Sequence, residues 1–489
     1  MDHRPVLGIF GYLLLMLALC LLAPLGVAIG TDSGSPHENS EVFALAVTPG
    51  LGLIGGLYLM RRFGRFSRDL GRREGYAVVA GGWLLATLVG MLPYLLSGVL
   101  PSLSEAFFET MSGFTTTGAS VFGYPGREIE SIPHGIQFWR HMTQWLGGMG
   151  IIVMGVALLP FLGVGGYHLV RAETPGGAVF ERDRPRIVEV AREMWRLYLL
   201  ITVILVGLFW LAGMSLFDAV CHAFTTMSTG GFSTHGESMG YFGAQAQWIA
   251  IVFMFLAGMN FSLLGALLRG RVRSVTSNPE FRTYALVLGC VVAVGLFAAP
   301  MGESAEHHLR QVVFQTVSVA TTTGYATADF EQWPAMMKML LLGLMFVGGC
   351  MGSTGGSVKP ARLLVYTKVV LRELYRLVYP HGVRPVKIGE RVLETQVVSN
   401  ILAFGSAYLV LFLAGALTMA VSGYDMPTSI SASASALGNV GPGFGAVGPM
   451  ANWSHLPALT QWVMSLLMLF GRLEVLSVLV LFSPWAWKK

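Results

Sequence analysis

Phe114-Thr-Thr-Thr-Gly-Ala-Ser120 is a polar, glycine-bearing phrase set in apolar sequence, and the chain spells a version of it four times. It returns as Thr226-Met-Ser-Thr-Gly-Gly-Phe-Ser233, as Thr321-Thr-Thr-Gly-Tyr-Ala326 and as Gly438-Asn-Val-Gly-Pro-Gly-Phe444. Each copy follows a short segment of apolar and small residues and precedes a long apolar stretch. The upstream segment is too short to cross a bilayer. Ser104 to Phe114 is eleven residues, ~16 Å of helix, or about half the hydrocarbon thickness. A chain that enters halfway must return as extended backbone, which survives at that depth only when buried or lining a wet cavity. Four such loops predict a pore wall built from four pseudo-equivalent quarters, with Gly118, Gly230, Gly324 and Gly441 as the equivalent glycines.

Composition places the chain in a bilayer. Hydrophobic residues make up 54% and charged residues 12% of the 489, and the mean hydropathy is +0.62, both far from soluble norms. The first apolar run, 6–29, is longer than the ~7–15 apolar residues of a cleavable signal. It reads as a helix that is kept, although Ala28-Ile-Gly30 has the small residues of a cleavage site. Cys20, Cys221, Cys290 and Cys350 show no CxxC spacing, which supports neither a metal cluster nor a disulfide framework.

Basic residues crowd one class of loop. Arg61, Arg62, Arg65, Arg68, Arg72 and Arg73 share one linker, and Arg171, Arg182, Arg184, Arg186, Arg192 and Arg196 the next. Arg269, Arg271 and Arg273 follow, then Lys359, Arg362, Lys368, Arg372, Arg376, Arg384 and Lys387. The loop at 31–41 has no Lys or Arg and carries Asp32, Glu38 and Glu41. By the positive-inside rule the basic linkers are cytoplasmic, 31–41 is outside and both termini are inside. Every copy of the phrase lies between two basic linkers, so the repeats are parallel about an axis along the membrane normal. The predicted architecture is an all-α integral membrane protein. Two extra N-terminal helices occupy 1–74, and pore repeats follow at 75–190, 191–280, 281–390 and 391–489. Each repeat is a helix, a half-helix and a helix, giving ten spans and four half-helices.

The phrase suits a monovalent cation. The carbonyl end of a half-helix carries partial negative charge, and the extended residues beyond it can replace an ion's water shell with carbonyl oxygens. Glycine permits the positive φ that keeps neighbouring carbonyls in line. No carboxylate occupies the four phrases, whereas a divalent site would want rings of Asp or Glu.

The four phrases, the two leading helices and the basic linkers resemble the TrkH branch of the Trk/Ktr/HKT superfamily of K+ transporters, over essentially the whole chain. The resemblance implies K+ uptake through each subunit across a bacterial inner membrane, with K+ as the transported ion and no organic cofactor. It implies a homodimer and a cytosolic TrkA-type nucleotide-binding regulatory subunit. It places filter carbonyls at Thr116, Thr117 and Gly118; Ser228, Thr229 and Gly230; Thr322, Thr323 and Gly324; and Asn439, Val440 and Gly441. Serine at the first filter glycine tends to admit Na+ in this superfamily, and Gly118 is intact. A Na+-permeable or Na+/K+ symporting member is the alternative. Repeat four, with Asn439 and Val440, makes the symmetry only approximate.

The last helix of the third repeat breaks at 348–357, where Gly348, Gly349, Gly352, Gly355 and Gly356 fall within ten residues, each costing about 1 kcal/mol against alanine in a helix. This segment resembles the family's intramembrane gating loop and is expected beneath the filter. Arg472, thirteen residues into the last apolar helix from Leu459, is past the midplane, where a charge is expensive. It either meets the loop's carbonyls and blocks the closed path or snorkels to the inner headgroups. Glu105 and Asp218 open half-helices as caps or as cation attractors, and Arg140 and His141 are expected at the outer end of a helix. The linker at 166–198 and the helix through 361–378 either dock the regulatory partner or attract anionic lipid. The sequence reads as lacking an HExxH zinc motif, a GxSxG elbow, paired intramembrane aspartates and a Walker A loop, so the chain does not read as an enzyme.

Overall fold

The computed structural model describes residues 3–31, 38–66, 72–150, 184–299, 304–389 and 391–484. The first repeat's second helix beyond 150, most of the linker at 166–198, the middle of the 31–41 loop and the C-terminal lysines lie outside the described residues.

Two leading spans come first. Helices α1 (His3–Cys20) and α2 (Leu22–Gly30) run on through one turn as a 28-residue apolar span, and α3 (Glu38–Phe63) packs along α1. Glu41, read above as part of an outer loop, lies buried in α3. Its Oε2 accepts from the backbone N–H groups of Gly135 (3.1 Å) and Ile136 (3.2 Å). Those donors are the free N–H groups that any helix N-terminus leaves without an intrahelical partner. The leading pair is thereby tied to the first repeat.

The repeats follow in order. Repeat one has α4 (Arg72–Gly90), α5 (Leu92–Ser97), the half-helix α6 (Leu103–Phe114) and α7 (His134–Gly148). Repeat two has α8 (Arg184–Leu211), the half-helix α9 (Leu216–Met227), α10 (Ala244–Ala257) and α11 (Phe261–Leu268), with α12 (Val272–Thr276) as a connector. Repeat three has α13 (Pro279–Ala298), the half-helix α14 (Ala305–Ala320), α15 (Ala335–Met345) and, after an irregular segment, α16 (Pro360–Val378). A two-stranded antiparallel hairpin, β1 (Lys387–Ile388) and β2 (Arg391–Val392), leads to repeat four: α17 (Thr395–Val421), the half-helix α18 (Met426–Gly438), α19 (Ala458–Arg472) and α20 (Leu476–Phe482).

The outer and inner helices differ as their sequences require. Beyond the charged starts of α8 and α13, the first helices α8, α13 and α17 are apolar and expose Leu200, Val203, Phe297, Val410 and Leu413, the pattern of a lipid-facing span. Toward their C-terminal ends α6 and α18 are buried on every side, from Ala106 to Phe114 in α6 and from Ser431 to Gly438 in α18. Two are capped by their own sequence, with Ser215 accepting from the N–H of Asp218 and Ser304 from that of His307.

Six described helices are long and apolar enough to cross a membrane, and a seventh forms if α10 and α11, bent by 113°, count as one. The expectation of ten spans covers the whole chain, whereas this count is of the described residues alone, which leave out 151–183. Among the described residues, the second helix of each repeat is interrupted. Helices α7, α10, α15 and α19 stop at Gly148, Ala257, Met345 and Arg472, well short of a full crossing. A sequence window sees one apolar run through each break. The backbone instead stops where it meets the ends of the half-helices.

Those helices also set the circular order. Each half-helix packs against the second helix of its own repeat and that of the preceding one: α6 on α7 and α19, α9 on α10 and α7, α14 on α15 and α10, α18 on α19 and α15. The series closes on itself. Replacing Glu41 by alanine is expected to strip the cap from α7 at a cost of about 1–2 kcal/mol. A lowered midpoint in detergent thermal unfolding, with Glu41→Gln nearer the parent, checks it.

Candidate functional site

All four half-helices end in the same hydrogen-bonded turn. In repeat one the N–H of Thr116 donates to Gly113 O (3.0 Å) and that of Thr117 to Ser112 O (2.9 Å). Thr229 and Gly230 donate to Thr226 and Thr225, Thr322 and Thr323 to Val319 and Ser318, and Asn439 and Val440 to Ala436 and Ser435. This is the Schellman ending, whose pivotal residue adopts a left-handed conformation and is usually glycine. Here it is Thr116 (φ 54°), Thr229 (φ 54°), Thr322 (φ 59°) and Asn439 (φ 56°). A β-branched residue at positive φ is an outlier, costing about 1–3 kcal/mol. The strain recurs at three threonines in equivalent places, so it belongs to the site. Two residues on, the chain turns left-handed again at Gly118, Gly231, Gly324 and Gly441 (φ 80°, 79°, 78° and 103°).

That geometry corrects the register of the second copy. Gly231, and not Gly230, is the counterpart of Gly118; Gly230 corresponds to Thr117, and Ser228 to Thr115. The equivalent triad in repeat two is Thr229, Gly230 and Gly231. Adjacent glycines left the sequence alignment free to slip by one.

The four glycines meet neighbouring backbone in a cycle. A Cβ on Gly118 would lie within 3.0 Å of Gly230 O, one on Gly231 of Thr323 O, one on Gly324 of Val440 O, and one on Gly441 of Thr117 O. Each repeat thus sets the carbonyl of its second triad residue against the glycine of its neighbour, and the fourth contact returns to the first. All four glycines also line one outer vestibule, together with Arg140, Phe232 and Trp453. Buried at the same level, Thr116 Oγ1 and Asn439 Oδ1 have no hydrogen-bond partner among the described residues.

A buried ion pair braces the outer lip of this ring. Glu109 on α6 and Arg140 on α7 meet at 2.7 Å, with side chains 0% and 1% exposed. Glu109 also accepts from Ser120 Oγ and from the N–H of Val121. Arg140 donates to Ser233 O (3.0 Å) and stacks over the Phe232 ring. Arg140 therefore sits mid-helix in the interior instead of at an outer end, and sequence reasoning missed Glu109 altogether. The signal was there: a carboxylate in a buried half-helix and an arginine in an apolar helix demand each other. Glu105 pairs with Arg127 (2.7 Å), and the Asp218 carboxylate accepts from the hydroxyls of Ser215 and Thr234.

Beneath the ring lies the glycine-rich segment. It is folded onto the break between α10 and α11: Cys350 N–H donates to Gly258 O, Phe261 N–H to Gly352 O, and Asn260 Nδ2 to Met351 O. Its neck closes through Gly348 N–H to Val358 O, and Gly352 turns left-handed (φ 72°). Gly349 rests on Gly258, and Gly355 on Thr321 O. The tip touches three half-helix ends. Thr354 Oγ1 donates to Met227 O (3.1 Å), Gly356 N–H donates to Thr322 Oγ1 (2.7 Å), and Gly356 abuts Gly438 O.

Arg472 closes α19 and does not snorkel outward. Its guanidinium donates to Thr354 O (2.6 Å) in the segment and to Gly147 O (2.6 Å) and Gly148 O (3.0 Å) at the end of α7. Lys359, unremarked in the sequence beyond its charge, is buried and donates to Gly355 O and Gly356 O. Two cations thus hold carbonyls of one short loop.

Contrary to the sequence reading, Gly236-Glu-Ser238-Met-Gly240 does satisfy the GxSxG letters of a hydrolase elbow. It lies in an outer turn with no strand before it, and Ser238 Oγ accepts from the N–H of Ala326 beside the third triad. The serine braces the ring.

Such a fold, all-helical and multi-pass with a four-quarter ring at its centre, defines a membrane transport protein. The family model that matches, over residues 62–488, is TrkH, described as a cation transport protein. The Trk system potassium uptake protein TrkH of Salmonella typhimurium is 39% identical over 100% of both chains. TrkG of Escherichia coli is 31% identical over 99% of both. The crystal structure of the potassium transporter TrkH from Vibrio parahaemolyticus superposes with a TM-score of 0.87 at 36% identity, covering 100% of each chain. The chain belongs to the TrkH family.

Replacing Glu109 by alanine leaves Arg140 buried and unpaired and is expected to cost about 3 kcal/mol or more. Thermal unfolding should show a large drop, partly recovered in the double variant Glu109→Leu with Arg140→Met.

Proposed function

We propose that the chain carries K+ into the cell through the ring of triad carbonyls, as one subunit of a homodimer in a bacterial inner membrane with both termini cytoplasmic. The observation that carries this reading is the closed cycle of glycine–carbonyl contacts. Residues of alternating hand bring successive peptide groups to one side, where a plain strand would alternate them. Neutral oxygens from four quarters can then replace a monovalent ion's hydration shell without a carboxylate. The orphaned Thr116 Oγ1 and Asn439 Oδ1 offer further oxygen at the lower edge. The corrected filter is Thr116, Thr117 and Gly118; Thr229, Gly230 and Gly231; Thr322, Thr323 and Gly324; and Asn439, Val440 and Gly441. The names of the relatives, potassium uptake proteins, favour K+.

The segment 348–357 acts as the gate. It plugs the path under the ring, and Arg472 locks it to α7 while adding a positive charge that repels cations. A cytosolic nucleotide-binding subunit of the TrkA type releases it, pulling through α16 and the basic linkers that continue from the loop.

Purified protein in K+-loaded liposomes tests the conduction. Flux of Rb+ well above that of Na+ supports the reading, equal Na+ flux indicates the sodium-permeable alternative, and no alkali flux under any partner or imposed voltage, the Arg472→Ala variant included, removes it. Replacing Arg472 by alanine is expected to raise Rb+ flux without the partner by about tenfold, the effect of removing about 1.4 kcal/mol of closure. An unchanged leak would remove Arg472 from the gate.

A further inference from the structure

The second triad is the odd one at its middle position. Thr117, Thr323 and Val440 carry β-branched side chains there, and in repeats one and three the threonine hydroxyl pairs with that of Thr115 or Thr321 at 2.8 Å. Repeat two has Gly230. The space is not empty. The side chain of Gln144, fully buried on α7, occupies it, and a Cβ on Gly230 would fall within 3.0 Å of Gln144 Cδ, Oε1 and Nε2.

Gln144 is bonded at both ends of its amide. Nε2 donates to Gly230 O (2.7 Å), and Oε1 accepts from the N–H of Phe232 (3.1 Å). Gly230 O is one of the four carbonyls of the cycle. Among the described residues no protein donor reaches its counterparts on Thr117, Thr323 or Val440. Helix α7 holds the returning strand of repeat two along its length, with Arg140 on Ser233 O one turn earlier and Gly148 against Ser228 one turn later.

We propose that Gln144 is a selectivity-determining positioning residue: a side chain lent by repeat one replaces the missing one in repeat two and pins Gly230 O in the ring. A smaller ion is admitted when ring oxygens can move inward to follow it. A carbonyl held from behind by an amide N–H cannot follow. The bond also explains why glycine stands at 230. Any side chain there collides with Gln144, whereas the same position in the other quarters tolerates threonine or valine. This inference rests on the ring being the ion filter.

The test is uptake of Rb+ and Na+ by the full-length protein in liposomes, measured side by side. Gln144→Leu is expected to lower the Rb+/Na+ flux ratio by about five- to tenfold, the weight of one buried hydrogen bond, while Rb+ still passes. Gln144→Met keeps most of the volume and has no donor for Gly230, so it carries the same expectation if the leucine variant does not fold. Gly230→Thr alone is expected to abolish flux, and Gly230→Thr with Gln144→Ala to restore it. Equal loss of both ions at an unchanged ratio in the Gln144 variants would overturn the proposal, as would a Gly230→Thr protein that behaves like the parent. If neither ion passes even when Arg472→Ala unlocks the gate in the same background, the filter reading itself is removed instead.

Discussion

A carbonyl oxygen set against the Cα of a neighbouring glycine, four times around a closed circle, is the contact on which the rest of the structure depends. It requires that four quarters of one chain converge, because each supplies a glycine to one neighbour and a carbonyl to the other. It requires glycine, because a methyl group at any of the four positions would occupy the oxygen's place. It also requires that each half-helix end abruptly with its strand turned back, which the left-handed threonines and Asn439 provide. The strain of three threonines at positive φ is tolerated because the Schellman bonds below and the packed second helices beside them leave no alternative. Burial of the half-helix ends, the Glu109–Arg140 pair and the Gln144 bonds all hold this circle in place.

The same logic governs the underside. Breaking four helices just below the ring frees backbone carbonyls at a depth where water is scarce. Arg472 and Lys359 satisfy several of them, and Asn260 satisfies one more. The glycine-rich segment is thereby cross-linked to the ends of α7, α10 and α19, elements of three repeats. It moves only if those bonds exchange partners. The segment runs directly into α16, whose basic, partly exposed length continues beyond it, so a pull on α16 reaches the loop through continuous chain.

The parts written into local composition were legible in the sequence. A polar phrase with glycine inside apolar surroundings has few physical explanations, and four copies behind short helices leave fewer. Repeat order, half-helices and the glycine-rich break followed from that. Three things did not. The register of the second copy hid behind adjacent glycines at 230 and 231, which only backbone dihedrals separate. The left-handed threonines ran against residue preference, and no local rule places a β-branched residue there. The partners of the ring, Glu109 with Arg140 and Gln144 with Gly230, join residues 31 and 86 positions apart. Neither pairing recurs elsewhere among the described repeats, so repetition gave no hint of them.

Crystals grown in rubidium give the most direct measurement of the central claim, through the anomalous signal of the bound ion. The account predicts a peak on the axis enclosed by Gly118, Gly231, Gly324 and Gly441, bounded by the carbonyls of Thr117, Gly230, Thr323 and Val440. A peak elsewhere, with the ring itself vacant at saturating rubidium, would contradict it.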